Sequence, residues 1–358
     1  MSKRFQQTNF WCDFKSAHGW KKISQDGINI LVRSFGRAPL RFSIAYVPLA
    51  PEYPENKNYM EDSQNVLQDE CEYLAKVGEF SKKIKSVLPK GTLCVRYDLP
   101  LDFDTVEKRD AFIKDFKEKR EFKESFSKNK FTILKNKVDI QPPDSTYLEL
   151  SKSEDDLLSS MKSKWRYNVR YASKHEVKVR AVHAGDENFE KDLNSFYSLY
   201  KTTAERDGIG MHSISYYKDL MERSDEKSKV TLYIASHEGQ DLAAIVTLFQ
   251  EDEAIYLYGC SGNEKRNLMP AYLVQWTAIC DAKKFGSKIY DFYGIPPTGD
   301  ENHPMHGLYL FKTGFGGKEV HRPGSFDIPL SPLYKLYTCA ENLRAWYHKI
   351  FLKKIRGR

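Results

Sequence analysis

The chain has 358 residues, of which 41% are hydrophobic and 13% aromatic, and it carries a formal net charge of +7 with a pI near 8.8. A single core rarely grows beyond roughly 250 to 300 residues, so the length predicts two domains, and the apolar content excludes a globally disordered chain. The modest positive charge permits a polyanionic partner without requiring one.

Targeting and metal-site signals are weak. The basic N-terminus is not followed by the apolar run of roughly 7 to 15 residues that a signal peptide has. No stretch of the sequence reaches the roughly 18 apolar residues of a membrane span, so we expect a cytoplasmic protein. The six cysteines are dispersed, which is typical of reduced thiols. His303 and His306 form an H-x-x-H without a supporting ligand at metal-site spacing, so we expect no metal site.

The first part of the chain predicts a β-meander followed by a helix. Alternating runs at 20–24, 28–35 and 42–47 are separated by Gly- and Pro-containing turns. Helical apolar spacing follows at 61–87, and a strand at 93–97. Residues beyond it, 104 to 130, mix acids and bases as a solvated helical face does.

The same order of elements recurs later. Runs at 230–236, 242–250 and 254–259 predict a second meander, followed by a helix at 270–285 and a strand at 289–293. Two α/β domains with mixed sheets are the simplest explanation, and meander, crossover helix and strand in that order is the layout of an N-acetyltransferase-like (GNAT) fold.

Coenzyme A is not expected as a cofactor. An N-acetyltransferase binds its pyrophosphate on a glycine-rich turn between the last meander strand and the next helix. That position reads SGNEKRNLMPAY in the second half and PLAPEYPENKN in the first. Neither segment has a basic residue followed by paired glycines.

Between the two halves lies a basic segment that predicts one helix at 154–174, with Ser153 as its N-cap. Tyr167 and Tyr171 lie beside a row of cations spaced four apart. Such a stripe is able to track a phosphate backbone and stack a base, and the alternative is a solvated amphipathic helix. The cations of this segment are Lys162, Lys164, Arg166, Arg170 and Lys174.

Three other features are candidates for function. Lys312 lies between Phe311 and a glycine-rich turn. This position fits a lysine in an electrostatic site, and the alternative is a solvated lysine that snorkels from an apolar segment. A helix ending at Asp207-Gly208 and another starting near Ser213 bring together the side chains Arg206, His212, Tyr216 and Tyr217. Residues 333–355 predict an amphipathic helix with a basic end, which packs on a domain or rests on an anionic lipid surface.

Several segments, taken in order, resemble the Fem family (FemA, FemB, FemX) of aminoacyl-tRNA-dependent peptidyltransferases, which build peptidoglycan side chains. The resemblance covers nearly the whole chain. The matching segments are YLELSKSEDDLLSSMKSKWRYNVRYASKHEVKV, FYSLYKTTAERDGIGMHSISYY, YLYGCSGNEKRNLMPAYLVQWTAI, KIYDFYGI and LYLFKTGFGGKEV, with weaker matches at FWCDFKSAHGW and SIAYVPLAP.

The resemblance implies two tandem GNAT-like domains, here without the coiled-coil insertion of some members. Because the family's C-terminus returns to the first domain, we expect residues 1–146 with 332–358 to bind the precursor. Residues 147–331 are then expected to bind tRNA and carry the catalytic lysine. We expect a monomer and no cofactor besides the aminoacyl-tRNA co-substrate. Apart from the resemblance, the basic amphipathic tail permits contact with the inner membrane surface.

The resemblance also implies roles for single residues. Lys312, in the F-K-x-x-F match, corresponds to the family lysine that stabilises the oxyanion. Asp98, in the R-Y-D-x-P match, corresponds to a family acid near the proton-transfer path. The local pattern at Asp98 fits a strand-end cap equally well. The implied contacts to the precursor or acceptor are Lys15, Tyr216, Tyr256, Tyr258 and Phe311.

One position departs from the family pattern. His212 stands where a compared member has a phosphate-binding arginine, and an imidazole makes a weaker contact than a guanidinium. Arg206 is the candidate to compensate. Three functions therefore remain open: transfer from aminoacyl-tRNA to a peptidoglycan precursor, a related N-acyl transfer to a polysaccharide or protein amine, and binding of tRNA and precursor without turnover.

Overall fold

A computed structural model describes residues 4–37, 41–52, 66–118 and 132–347 of the protein. The chain divides into two compact units. The first unit contains Gln6–Pro143 and His321–Arg358, and the second unit contains Met1–Phe5 and Asp144–Val320. No helix within the described ranges is both long and apolar enough to cross a bilayer.

The first unit holds a six-stranded sheet in the order β1-β2-β3-β4-β13-β5. Its strands are β1 (Lys21–Gln25), β2 (Ile28–Phe35), β3 (Phe42–Pro48), β4 (Thr92–Asp98), β5 (Leu134–Lys135) and β13 (Ser325–Pro329). Its helices are α1 (Asn9–Ala17), α2 (Val66–Ile84), α3 (Val106–Glu118) and α10 (Tyr334–Trp346).

The second unit holds a seven-stranded sheet in the order β12-β6-β11-β10-β9-β8-β7. Its strands are β6 (Asp144–Glu149), β7 (Lys178–Val182), β8 (Lys229–His237), β9 (Gln240–Phe249), β10 (Glu253–Ser261), β11 (Ile289–Asp291) and β12 (Lys318–His321), the last reaching the unit boundary. Its helices are α4 (Glu154–Ser160), α5 (Ser163–Lys174), α6 (Phe189–Asp207), α7 (Ile214–Glu222), α8 (Pro270–Phe285) and α9 (His306–Thr313).

The repeat predicted from sequence is present in both units. In the first, β1, β2 and β3 pair antiparallel, and α2 leads to β4, which pairs parallel to β3. In the second, β8, β9 and β10 pair antiparallel, and α8 leads to β11, parallel to β10. A parallel neighbour needs a crossover, which the helix provides. The predicted fold class, α/β with mixed sheets, is confirmed.

Each unit has its own hydrophobic core. In the first, Val77 and Phe80 of α2 pack with Val95 and Tyr97 of β4. In the second, residues from α5 and α8, among them Val274, Ala278 and Ile279, pack on the apolar face of β8 to β11. The cores therefore form where the sequence shows apolar periodicity.

The chain returns to the first unit earlier than the predicted position of 332. β13 pairs antiparallel with β4 on one side and β5 on the other. Because every residue of β4 is buried, its backbone groups need a partner strand on both sides, and β13 supplies the second. The other boundary, predicted at 146, lies at Asp144.

Two local predictions are wrong. The helix expected at 154–174 is two helices, because Met161 and Lys162 adopt extended backbone angles between α4 and α5. The strand expected at 289–293 ends at Asp291, since Tyr293 and Gly294 have positive φ. Lys312, for which the sequence predicts no element, lies in the last turn of α9.

Three predicted segments lie partly outside the described residues. The helix expected at 61–87 is described from Val66 onwards, in α2. The charged helical face at 104–130 is described as far as Glu118 in α3. The C-terminal helix is described to Tyr347, so its basic end at 353–356 falls beyond.

Candidate active site

The ammonium of Lys312 is buried in the second unit. The residue is 6% exposed, and its Nζ donates hydrogen bonds to the carbonyl oxygen of Gly294 at 3.0 Å and to that of Tyr293. The ring centroid of Tyr256 lies 5.0 Å from Nζ, within range of a cation–π contact. Lys312 therefore does not snorkel into bulk solvent.

The two acceptor carbonyls belong to a turn with left-handed backbone. Tyr293 has φ of 48° and Gly294 of 63°, a conformation that is unusual for a tyrosine. The turn is held by Asp291, whose Oδ1 accepts from the Tyr293 backbone N–H at 2.7 Å and from the Ser145 hydroxyl. Edge-to-face packing of Phe5 on Tyr293, at 5.9 Å between centroids, supports it further.

Burial dominates the electrostatics of this site. It lowers the pKa of Lys312 to about 7, and the negative charge of Asp291 partly opposes that change. Burial also raises the pKa of Asp291, while its hydrogen bonds from Ser145 and Tyr293 act in the opposite direction. Since the lowered value lies near neutrality, the lysine is charged below about pH 7 and loses its charge as the pH rises through that value.

The site suits stabilisation of a developing negative charge. An ammonium has three N–H donors, and the contacts among described residues use two of them. A third donor is left for a substrate oxygen. Because the ammonium is buried, such a donor acts more strongly than it would in water.

A second buried acid, which the sequence analysis missed, lies close by. Glu253, at the start of β10, accepts from the Phe5 backbone N–H at 2.5 Å and lies 3.6 Å from the Arg4 guanidinium. Burial raises the pKa of Glu253 to about 7, opposed by the charge of Arg4. No local pattern reveals this contact, because residues 4 and 5 meet residue 253 only in the fold.

The cations of α5 form an exposed surface with an aromatic row. Tyr167 is 61% exposed and packs 5.6 Å from Tyr171, which stacks on His175 at 3.8 Å. His175 was not identified from the sequence, although it continues the spacing of four. The exposed cations beside this row are Lys162, Lys164, Arg170 and Lys174.

Arg166 has a different environment from the other cations of this helix. Its Nη1 donates to the carbonyl of Ser159 at 2.7 Å and to that of Met161. These bonds satisfy carbonyls at the break between α4 and α5, so much of this guanidinium is engaged in structure. Its predicted role in binding tRNA stays a prediction.

α5 is joined directly to the helix that carries Lys312. The Trp165 indole N–H donates to the Phe311 carbonyl at 2.8 Å, and the Lys162 backbone N–H donates to the Gly314 carbonyl at 2.9 Å. A Cβ on Gly314 would lie 2.2 Å from the Trp165 ring, so only glycine permits this approach. The ring of Phe311 packs edge-to-face on Tyr272 and Phe315, each at 5.3 Å.

The two tyrosines of β10 serve different clusters. A bulge at Leu257 places Tyr256 opposite Thr247 and Tyr258 opposite Val246, so the two side chains point to opposite faces of the sheet. Tyr256 lies with Lys312, whereas the Tyr258 hydroxyl donates to that of Tyr216 at 3.3 Å. The resemblance implied that both tyrosines lie near the acceptor, and this stays a prediction.

Residues around the turn between α6 and α7 form an aromatic cluster with an exposed edge. His212 is exposed and stacks on the buried ring of Tyr216 at 3.9 Å. Arg206 donates to Asp207 through Nε at 2.8 Å and Nη2 at 3.1 Å, and through Nη1 to the Ser261 carbonyl. A phosphate would have to compete with Asp207 for this guanidinium, which weakens the case that Arg206 compensates for His212.

Asp98 belongs to the first unit, at the end of β4. Its carboxylate accepts from the Ser325 hydroxyl at 2.5 Å and from the Tyr46 hydroxyl. Burial raises its pKa to about 6, and the two hydroxyls oppose the rise. A carboxylate of this kind is ionised at neutral pH and able to accept a proton.

Lys15 also belongs to the first unit, in the last turn of α1. Its Nζ lies 5.8 Å from the Trp11 ring centroid. Burial, followed by the charge of Arg33, lowers the pKa of Lys15. Two neighbouring cations favour an anion between them, so Arg33, missed in the sequence, is a further candidate for contact with phosphate.

Neither a metal site nor a phosphate cradle is evident in the described parts of the chain. Within residues 4–37, 41–52, 66–118 and 132–347, no three His, Cys, Asp or Glu side chains are grouped so as to hold a metal ion. At the start of α8, where a GNAT enzyme would bind pyrophosphate, Pro270 lacks an N–H and the Tyr272 N–H donates to the Met269 carbonyl.

Comparison with known proteins gives consistent matches. The chain is 23% identical to the lipid II:glycine glycyltransferase of Staphylococcus aureus (strain USA300), over 92% of this chain and 89% of that protein. It is likewise 23% identical to the enzyme of the same name from Staphylococcus epidermidis, with the same coverage.

Solved structures agree on the fold. The crystal structure of FemX superposes with a TM-score of 0.67 at 21% identity, covering 94% of each chain. The C-terminal domain of a putative lysylphosphatidylglycerol synthetase from Agrobacterium fabrum gives a TM-score of 0.52 at 9% identity, over 94% and 91% of the two chains. The model of the FemAB family matches residues 1–237 and 233–342, and the chain therefore belongs to the FemAB family.

Proposed function

We propose that this aminoacyltransferase of the FemAB family transfers an amino acid from aminoacyl-tRNA to the side-chain amine of the stem peptide of a peptidoglycan precursor. The reaction contributes to an interpeptide bridge or side chain. The observation that carries the proposal is the buried ammonium of Lys312, which has a third N–H donor besides the two that bond to the Tyr293 and Gly294 carbonyls.

The chemistry is attack of an amine on an activated ester. A C–N bond forms, the carbonyl oxygen becomes negative, and the bond to the ribose oxygen of the tRNA then breaks. We propose that Lys312 in its charged form stabilises that oxyanion, and that Asp98, whose pKa burial raises to about 6, accepts the proton that the amine loses.

The exposed surface of α5 is the proposed contact for the donor tRNA. Its cations neutralise phosphates, and the row of Tyr167, Tyr171 and His175 offers faces on which bases stack. Because Trp165 donates to the Phe311 carbonyl, this surface is tied to the residue next to Lys312. Donor binding would thereby help to set the position of the catalytic ammonium.

The proposed acceptor is the lipid-linked precursor, since the curated relatives are named lipid II:glycine glycyltransferases. Lys15 with Arg33, and Tyr216 with His212, are the candidate contacts to its phosphates and sugar. Tyr256 and Phe311 border the lysine site, so they are placed to contact the reacting groups. We propose that the protein acts as a monomer without coenzyme A.

Incubation of the purified protein with a mixture of charged tRNAs and precursor, followed by mass analysis, tests this function. The expected product is heavier by one or more amino acid residues, and the mass identifies the amino acid. Parallel reactions with nucleotide-linked and lipid-linked precursor identify the acceptor. If polysaccharide or protein amines are acylated and neither precursor is, the protein is a related N-acyltransferase. If nothing is acylated while tRNA and precursor bind, the protein binds without turnover.

A further inference from the structure

The helix α10 of the first unit directs the side chain of Glu341 towards the sheet, where it meets Arg96 of β4. Arg96 donates to Glu341 at 2.8 and 2.7 Å and to Asp327 at 2.7 and 2.9 Å. The Tyr337 hydroxyl donates to Glu341 at 2.7 Å, and that of Tyr334 to Asp327 at 2.9 Å. This network fixes which face of α10 lies against the sheet.

The opposite face of α10 is apolar and exposed. Leu333 is 61% exposed, Leu336 71% and Leu343 65%. At 100° per residue Leu336 and Leu343 fall on one side of the helix, about 100° or more from Tyr334, Tyr337 and Glu341. Leu333 is the N-cap at the start of the helix. A surface helix of a globular protein ordinarily has the reverse arrangement.

Cations accompany this apolar face. Lys335 and Arg344 are exposed, and Glu341, the one acidic residue between 333 and 347, is bound to Arg96 on the inner side. The sequence beyond Tyr347, HKIFLKKIRGR, adds five lysines and arginines and no acid. Exposed Trp346 and Tyr347 at the end of the helix are residue types enriched at membrane interfaces.

We propose that the outer face of α10 lies on the surface of an anionic lipid bilayer, with Leu333, Leu336 and Leu343 in the interfacial layer and the cations at the headgroups. An apolar face flanked by bases is the composition that such a surface binds. A second copy of the chain is a poor partner, since two basic faces would repel. The inference deepens the proposed function, because it holds the enzyme at the membrane that carries a lipid-linked acceptor.

Vesicle co-sedimentation of the full chain, with no substrate present, tests the proposal. The probes are vesicles of phosphatidylglycerol with phosphatidylcholine, and vesicles of phosphatidylcholine alone. We expect binding to the first, weakened by salt, and at least about tenfold weaker binding to the second. Leu336→Glu should reduce binding to anionic vesicles about tenfold or more, because it removes apolar area and adds a negative charge.

Val87→Glu is the matched control, since Val87 is 43% exposed in the same unit and the substitution makes the same change in charge. It should bind as the wild type does, and thermal melts should show both variants folded. Failure of the wild type to bind anionic vesicles, or equal loss in both variants, would overturn the proposal. A wild-type dimer that Leu336→Glu converts to a monomer would also overturn it, by assigning the face to self-association.

The same variant separates this inference from the proposed function. Leu336→Glu should leave transfer to a nucleotide-linked acceptor in vesicle-free solution unchanged, and lower transfer to lipid-linked acceptor in anionic vesicles. Loss of both activities in a folded variant would contradict a role confined to the membrane. Absence of any transfer by the wild type, with vesicle binding intact, would refute the function and leave the lipid surface standing.

Discussion

The charge of Asp291 should control the pH range in which Lys312 works. Burial lowers the pKa of the lysine to about 7, and Asp291 opposes that decrease. In Asp291→Asn the amide oxygen still accepts from Ser145 and from the Tyr293 N–H, so the turn is kept while the negative charge is lost. The pKa of Lys312 should then fall further.

The size of the effect follows from the fraction of lysine that is charged. With a pKa of about 7, a tenth of the lysine carries its proton at pH 8. Loss of a nearby opposite charge changes a pKa by about one unit or more. In the variant, therefore, about a hundredth of the lysine would carry its proton at pH 8. The variant's kcat/KM should therefore match the wild type near pH 5.5 and be about tenfold lower at pH 8.

The assay is kcat/KM for amino acid transfer from pH 5.5 to 8.5, expressed as the ratio of variant to wild type. The ratio removes the ionisation of the acceptor amine, which is common to both proteins. Asp252→Asn serves as control, since that carboxylate is 31% exposed and paired with Lys288. A ratio that stays constant with pH would refute the reasoning, because it would make Asp291 a purely structural residue.

Two further variants test other parts of the second unit. Arg170→Glu combined with Lys174→Glu should weaken tRNA binding about tenfold or more and reduce its salt dependence, because it reverses the charge of two exposed side chains of α5 that are proposed to contact phosphates. Unchanged affinity in a filter-binding titration would exclude this surface. Phe5→Ala should lower kcat and shift the alkaline limb of the pH profile, because the Tyr293 turn that accepts from Lys312 loses its packing partner. A fall in melting temperature with kcat and pH profile unchanged would show Phe5 to be structural only.

Much of the fold follows from short-range pattern. The apolar runs at 28–35 and 242–250 and the apolar spacing of 270–285 predicted β2, β9 and α8 with small errors in their bounds. The helix break at Met161 did not follow, since it depends on the Lys162 N–H donating to Gly314, more than 100 residues away.

The candidate site was predictable as a position but not as an environment. The segment around Lys312 identified the lysine, whereas its burial, the left-handed turn and Asp291 depend on contacts formed only in the folded unit. Pattern rules place charged residues outside, so they give no signal for Glu253, bound by Arg4. Roles taken from the resemblance stay predictions until substitutions are assayed.

The most direct test of the account compares Lys312→Met with Lys318→Met in single-turnover transfer from charged tRNA. Lys318 is a matched control because its side chain is 80% exposed and pairs with Glu149 on the same unit. Because Lys312→Met removes the donor to the Tyr293 and Gly294 carbonyls, thermal melts of both variants are recorded to show that each is folded at the assay temperature. We predict a rate about 100- to 1000-fold lower for Lys312→Met and unchanged for Lys318→Met. A folded Lys312→Met protein with wild-type turnover would contradict the assignment of this ammonium to the oxyanion.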